Sequence, residues 1–465
     1  MVYMVHIKIP RVSKKWMIFS VTANGTFMST LSAGIVTIAL PTMSSQFNVP
    51  LANIQLVVSL YLLVLTSLLP VFGKLSDMYS RKWMYLGGFI TFGVGALGAA
   101  LSNSLTAMLL ARAVQGIGSS AMMATSQALI AQVFHGSSRG KAFGAIGAVV
   151  ACGSLAGPAI GGALIQAWGW RSIFWLTIPI CILGVWRGIY LIPRFKGTPR
   201  LKMDYAGAIF FTLMSFCFLY ALNTATARGW TSAPILSLFI LSLFLFIGFI
   251  WRERTATHPF VGLSIFKIPT ISYGYVIAVL GFTSLFTNSV LLPFYLTDIM
   301  HLDPFSIGML MLPFPVTLAL ASAWSGALCT RWPARVITTV GFFFLIISTL
   351  LFACIGRWAG AGYIVLAQLI MGLGSGLFQV PNNTTVISAA PKDKLGVVAS
   401  INALARNVGT IGGIALSVAV CVAVQHYAKT RGYEPQHAFI AGYRAAMLLG
   451  TAFAVGGGIL SFSRK

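Results

Sequence analysis

The sequence predicts an all-α membrane protein with fourteen transmembrane helices, and three observations support this. Of the 465 residues, 57% are hydrophobic and only 8% are charged, whereas soluble domains carry about 25% charged residues. The apolar residues form runs long enough to cross the hydrocarbon core, which takes about 20 residues in a helix. Backbone groups in lipid must bond within their own segment, which favours helices over open strands.

The apolar runs are numbered here as predicted spans 1 to 14 along the chain. Their approximate centres are residues 28, 63, 92, 118, 155, 182, 214, 242, 284, 317, 345, 374, 410 and 450.

The net charge of +24 does not indicate a nucleic-acid-binding protein. The Lys and Arg residues lie between apolar runs rather than on one basic face. Most of them fall on one side of the predicted membrane, including Lys14, Lys15, Arg81 and Lys82. Basic residues near span ends favour the cytoplasmic side. We therefore expect a multi-pass protein of the cell membrane, with the lipid bilayer as its environment and both termini in the cytoplasm.

The loop lengths predict an internal division of the chain. The longest inner loops flank spans 7 and 8, so this pair resembles an insert between two blocks of six. Internal duplication of this kind is common in transporters. We predict an N-terminal six-helix bundle at 1–195, a linker with spans 7 and 8 at 196–265, and a C-terminal six-helix bundle at 266–465.

A charged segment follows predicted span 2 and contains Gly73, Asp77, Arg81 and Lys82. Glycine allows close helix approach, and a carboxylate at a helix end can pair with nearby cations or with the positive end of a neighbouring helix. Such a pair can latch one conformation and release in another. The alternative is a basic loop that only sets orientation.

Predicted span 4 carries Arg112 well inside its apolar run, with Gln115 three residues later. An arginine at this depth is costly in lipid and should face the protein interior or a wet cavity. Residues three apart share one helix face, so Gln115 should lie beside it. The alternative is an arginine that extends to the membrane interface.

Predicted span 5 is rich in glycine and carries one proline. Glycines four residues apart give a smooth face for close helix packing, and proline loosens the helix hydrogen bonding. By itself this pattern predicts packing. The residues are Gly153, Gly157, Pro158, Gly161 and Gly162.

In this order, the three segments resemble the major facilitator superfamily. The Gly73 segment is similar to the signature loop between helices 2 and 3 of that family, and Arg112 with Gln115 is similar to its helix 4 motif. Gly157 and Pro158 are similar to the helix 5 motif associated with its antiporters. The resemblance implies two six-helix bundles that rock around a central site.

Further segments resemble the fourteen-span drug–proton antiporter branch, of the multidrug efflux type, over nearly the whole chain. They are 27–41, 170–174, 204–207, 372–376, and Asn402 with Arg406.

One position departs from that branch, because Ser32 stands where its helix 1 pattern usually has an aspartate. The chain has seven acids, and all are predicted in loops or at helix ends: Asp77, Asp204, Glu253, Asp298, Asp303, Asp393 and Glu434. Proton coupling commonly uses a membrane-embedded carboxylate, whose charge is costly to desolvate. We therefore expect proton coupling to be absent or to use a helix-end acid, with Asp298 as the candidate.

Polar residues within the spans are candidates for lining a central cavity. Two cations without nearby acids, Arg112 and Arg406, favour anionic, zwitterionic or neutral substrates. The other candidates are Asn24, Ser32, Gln115 and Asn402. The alternative for each is interhelical hydrogen bonding, and for Arg406 a packing or inner-gate role.

The leading functional prediction is a gradient-driven exporter of small amphipathic compounds, such as drugs or toxic metabolites, with protons as the candidate coupling ion. The alternative is a specific organic-anion or metabolite carrier that works by exchange or facilitated diffusion without protons. An enzyme is disfavoured because no nucleophile–base pair or metal-ligand cluster is evident. The sequence has no phosphate-binding GxxxxGK[ST] loop. We expect a monomer without cofactor or metal.

Overall fold

The computed structural model describes residues 14–134, 137–193, 203–329, 331–356, 359–391 and 395–464. The first part of the chain forms helices α1 to α9. Their bounds are α1 Lys14–Phe47, α2 Leu51–Ile54, α3 Leu56–Met78, α4 Arg81–Ala100, α5 Leu105–Val133, α6 Ser137–Trp168, α7 Ser172–Leu191, α8 Tyr205–Arg228 and α9 Ala233–Thr255.

A short 3-10 helix, Leu263–Lys267, precedes the remaining helices. Their bounds are α10 Pro269–Asp298, α11 Pro304–Met311, α12 Pro313–Leu328, α13 Ala334–Ala353, α14 Ala361–Ser388, α15 Leu395–Thr430 and α16 Pro435–Ser463.

The predicted spans are confirmed. Twelve units are long and apolar enough to cross a membrane, with α2–α3 and α11–α12 each counted as one unit. Helices α5 and α6, of 29 and 32 residues, complete the set of fourteen. Every predicted centre lies on one of these helices. The protein is therefore an integral, multi-pass membrane protein.

One prediction about local structure needs correction. The segment from Gly73 to Asp77 lies on α3 rather than in the loop after it, because α3 continues to Met78. The helix ends where Tyr79 becomes extended, just before α4 begins at Arg81. No proline interrupts it after Pro70, so the helix continues past the apolar run.

Fourteen crossings place the start of α1 and the end of α16 on one side, which we call the terminal face, and the other side is the distal face. On the distal side, α1 packs against α10 and α6 packs against α11. Residues 35–41 of α1 and 290–296 of α10 are buried throughout. The described helices therefore close against one another towards the distal face.

The α8–α9 hairpin packs against α3 and α15, which also contact each other. Two buried carboxylates hold its ends on the terminal face. Asp204 caps α8 and pairs with Arg252 of α9, with Nε to Oδ1 at 2.9 Å. Glu253 accepts hydrogen bonds from the backbone N–H of Val261 and Gly262, at 2.9 and 2.8 Å. These bonds fix the hairpin where α3 meets α15.

Candidate functional site

A buried polar cluster joins α1, α3 and α5 around Arg112. The guanidinium is 0% exposed. Its Nε donates to the carbonyl of Val57 at 2.9 Å, and its Nη1 donates to Ser32 Oγ at 2.9 Å and to Gln115 Oε1 at 2.7 Å. Its Cζ lies over the ring of Tyr61, 4.2 Å from the ring centre. The predicted neighbour Gln115 and the predicted cavity residue Ser32 are thus brought together with Arg112.

Two nitrogen atoms in this cluster have no hydrogen-bond partner among the described residues. They are Arg112 Nη2 and Gln115 Nε2, and both atoms are buried. The arginine has five N–H groups and is always protonated in proteins. Nε and Nη1 use three of them, so the two on Nη2 remain. The described contacts of Arg112 include no carboxylate.

A hydroxyl network extends this cluster towards α1 and was not predicted. Tyr61 donates to the carbonyl of Ser29 at 3.0 Å and lies 2.6 Å from Ser119 Oγ, which bonds Ser29 Oγ at 2.5 Å. No pattern in the sequence indicates it, because the three residues come from three different helices. The network holds the Tyr61 ring under Arg112.

The other predicted cavity residues are more accessible. Asn24 is half-buried on α1, as are Phe27 and Thr30 one and two turns later. Because residues 35–41 of the same helix are buried, α1 changes from accessible to enclosed along its length. This pattern indicates an interior that is closed towards the distal face and reachable from the terminal side.

Arg406 and Asn402 lie one turn apart on α15 and are both half-buried. Asn402 Nδ2 donates to Oδ1 of Asn383 on α14 at 2.5 Å. Leu404 and Val408, on the opposite side of α15, line an apolar cleft with α8 and α9. Residues two apart on a helix point in opposite directions, so Arg406 faces away from the α8–α9 hairpin. The described part of the chain gives its guanidinium no hydrogen-bond partner.

Asp298, the candidate proton site, is the last residue of α10 and is exposed. It lines a cleft of about 410 Å³ at the distal face with Ser44, Ser45 and Asn48 at the end of α1. The structure therefore separates Asp298 from the Arg112 cluster, which lies deeper along α1.

The residues of the predicted latch lie at the terminal face. Arg81 Nη1 donates to the carbonyl of Ala128 at 3.2 Å and to Gln132 Oε1 at 2.5 Å, near the end of α5. Lys82 Nζ donates to the carbonyl of Ile189 near the end of α7. A Cβ on Gly73 would meet no described atom of a neighbouring element within 4 Å. The side chain of Asp77 lies outside the described residues, so the latch stays a prediction.

The glycines of α6 pack against α1 and α11. A Cβ on Gly153 would lie 2.2 Å from Thr30 Oγ1, and one on Gly157 would lie 3.1 Å from the backbone nitrogen of Ile35. A Cβ on Gly161 would meet Ile35 Cγ1 at 2.7 Å, whereas one on Gly162 would meet the carbonyl of Pro304 at 2.5 Å. The side chain of Pro158 lies outside the described residues.

The family model of the Major Facilitator Superfamily matches residues 22–414. The chain belongs to this superfamily. It is therefore a membrane transporter, which confirms the predicted resemblance and fold class.

Curated relatives of this superfamily chain cover most of its length. It is 33% identical over 403 residues to the riboflavin transporter RibZ of Clostridioides difficile, covering 86% of this chain and 87% of the relative. It is 26% identical over 446 residues to the lincomycin resistance protein LmrB of Listeria innocua, covering 94% of each. A solved bacterial homologue of the human lysosomal transporter Spinster has the same fold, with a TM-score of 0.67, 14% identity, and coverage of 97% and 96%.

Proposed function

We propose that this transporter exports small neutral or anionic amphipathic compounds across the cell membrane by alternating access, with both termini in the cytoplasm. The observation that carries the proposal is Arg406, a half-buried cation in the C-terminal half. It faces away from the α8–α9 hairpin beside Asn402, and its described surroundings include no carboxylate. A cation in this position attracts acceptor groups and anions and repels organic cations.

The proposed moving parts are the two six-helix halves, with α8–α9 as an insert. The contacts that support this lie between α1 and α10, α6 and α11, and α3 and α15. Each contact joins a helix before the insert to one after it. Breaking the first two while keeping the helices intact would open the interior to the distal face. In this proposal, the predicted latch at the terminal face resists opening of the interior to the terminal face.

The second candidate is a carrier for one metabolite, working by exchange or facilitated diffusion without protons. Two observations favour it. The curated relatives include a riboflavin transporter, and the acids placed by the described residues lie at helix ends or in loops. Proton coupling would have to be tested at Asp298, an acid at the end of a helix.

The test is transport in proteoliposomes under an imposed pH gradient, with riboflavin, an anionic dye and a lipophilic cation as substrates. We expect the first two to be transported and the cation to be a poor substrate. Losing a hydrogen bond to a charged group costs about 1.5–3 kcal/mol, so Arg406→Gln should weaken anion uptake by about 10- to 150-fold. The matched control is Arg228→Gln, because Arg228 is exposed at the end of α8.

The outcomes separate the two candidates. Uptake driven by the pH gradient and lost in Asp298→Asn supports a proton-coupled exporter. Uptake that ignores the gradient but is accelerated by substrate on the opposite side supports an exchanger. Efficient transport of the lipophilic cation, together with an unaffected Arg406→Gln variant, would contradict the proposed substrate preference.

A further inference from the structure

We propose that Arg112 and Gln115 form a binding site for a small inorganic anion of halide size, buried between α1, α3 and α5. The site is separate from the accessible Arg406 region. It lies where Arg112 Nη2 and Gln115 Nε2 have no partner in the described chain. Its proposed role is to supply the negative charge that the described residues around Arg112 lack.

The positive charge of Arg112 is buried among neutral described partners. Arginine stays protonated in a protein interior, and the side chain is 0% exposed. Burying a charge is very costly unless it is paired and hydrogen-bonded. The described partners of Arg112 are one carbonyl, one hydroxyl, one amide oxygen and one aromatic ring. All of them are neutral, so these described contacts solvate the positive charge without balancing it.

The acids that the described residues place do not provide the missing charge. Asp77 lies on α3, twenty residues beyond Val57, whose carbonyl accepts from Arg112. At 1.5 Å per residue, this places its backbone roughly 30 Å away along the helix. Asp204 and Glu253 are engaged at the ends of the α8–α9 hairpin. Asp298, Asp303 and Glu434 lie at helix ends, and Asp393 is outside the described residues.

The unused N–H groups of Arg112 and Gln115 provide the donors for an anion. The two N–H groups on Arg112 Nη2 and the two on Gln115 Nε2 are buried without a described partner. Arg112 Nη1 donates to Gln115 Oε1 at 2.7 Å, so the two side chains are held together. A small anion has no donors and accepts hydrogen bonds from every direction. It therefore satisfies the unused N–H groups and balances the charge at once.

The surroundings limit the size of the ligand. Ser32 is 2% exposed, and Gln115 and Tyr61 are 0% exposed. Arg112 Nη2 is itself buried, so in this conformation it is not open to an amphipathic organic substrate. The ligand is therefore a compact ion such as chloride, and the acidic group of a transported substrate is the competing source of the same charge.

The test uses the purified full-length protein in detergent, exchanged into gluconate buffer without halide. Thermal unfolding is followed while sodium chloride or sodium bromide replaces sodium gluconate at constant ionic strength. We expect the melting temperature of the wild type to rise with either halide and to saturate, because a ligand that binds only the folded state stabilises it. Binding of radiolabelled chloride to the same sample gives a second, direct measurement.

Two variants test the assigned residues. Ser32→Asp places a fixed carboxylate next to Arg112 Nη1, which lies 2.9 Å from the Ser32 hydroxyl. This variant should be as stable in gluconate as in chloride and should bind little radiolabelled chloride. Arg112→Met should also lose the chloride response. The matched control is Arg187→Gln, since Arg187 is a half-buried arginine of α7 that bonds Ser20 and should leave the response intact.

Three results would overturn the proposal. The first is a wild type that neither binds chloride nor gains stability from it, which would mean that neutral groups alone solvate Arg112. The second is a chloride response that survives in Ser32→Asp. The third is stabilisation of the wild type by benzoate but not by chloride, in a manner that depends on Arg112, which would assign the site to an organic acid group. None of these readouts depends on transport, so the proposed function can fail without affecting them.

Discussion

Replacing Gly162 with alanine should open the transporter towards the distal face. A Cβ at this position would lie 2.5 Å from the carbonyl oxygen of Pro304, 3.2 Å from Phe305 Cα and 3.3 Å from Gly308 Cα. All three atoms belong to the backbone of α11, so no side-chain rotation relieves the contact. The added methyl group therefore pushes α6 away from α11 and destabilises the distal-closed conformation.

The size of the effect follows from this geometry. Overpacking a close contact costs about 1–3 kcal/mol. If the contact exists only in the closed conformation, the whole cost shifts the equilibrium, by about 5- to 150-fold towards the distal-open state. Gly161→Ala is the matched control. Its Cβ would meet Ile35 Cγ1 at 2.7 Å, a movable side chain on α1, which precedes the α8–α9 insert as α6 does.

The assay is labelling of a cysteine introduced at Ile38, in a variant whose six native cysteines have been replaced. Ile38 is 2% exposed on the enclosed part of α1, so it reacts with a hydrophilic maleimide only when the distal side opens. The labelling rate should increase in Gly162→Ala and stay near the original value in Gly161→Ala. Equal rates in all three proteins would refute the assignment of the α6–α11 contact as a distal gate, as would an equal increase in both variants.

Three further predictions concern single contacts. Tyr61→Phe removes the hydrogen bonds to Ser29 and Ser119 and should lower the free energy of unfolding by about 1–3 kcal/mol, measured by denaturant titration in detergent; an unchanged value would mean that the network is not stabilising. Asp204→Ala removes the cap of α8 and the pair with Arg252, and should make the α8–α9 hairpin exchange amide hydrogens faster than the rest of the protein, whereas uniform protection would contradict this role. Hydrogen bonds from Ser306 hold the pKa of Asp303 below its usual value. The contribution of Asp303 to stability is therefore complete above the ordinary carboxyl pKa and is lost only as the pH falls through the lowered pKa. Asp303→Asn should leave any change in transport between pH 5.5 and 7.5 unaltered, and a shifted pH profile would refute this.

The sequence predicted the fold well because the membrane imposes a simple requirement. Each apolar run must cover the hydrocarbon core and satisfy its own backbone, so the centres of the runs determine the helices. The ends were harder to place, because they lie in water and headgroups, where composition no longer constrains the chain. The segment from Gly73 to Asp77 is such a case, since α3 continues to Met78 after the apolar run has ended.

The candidate site was only partly predictable. The depth of Arg112 in its span indicated an interior position, and the spacing of Gln115 indicated that the two residues share a face. The partners on other helices had no comparable signal, since Val57 contributes its carbonyl group and Tyr61 lies in another apolar run. The sequence also could not distinguish Arg112 from Arg406, because the difference between them is their accessibility in the folded chain.

That difference predicts separate roles for the two cations, and a double-mutant cycle tests this. Arg112 lies on α5 and bonds residues of α1, α3 and α5, whereas Arg406 lies on α15, and the described residues include no hydrogen-bond partner common to both. Changes at sites without shared partners usually add within about 0.5 kcal/mol. The chloride response should therefore be lost in Arg112→Met and kept in Arg406→Gln, and anion affinity should fall in Arg406→Gln by the same factor with or without Ser32→Asp. A coupling energy above that limit would contradict separate roles and would mean that the two cations depend on each other, through a shared ligand or through the movement of the two halves.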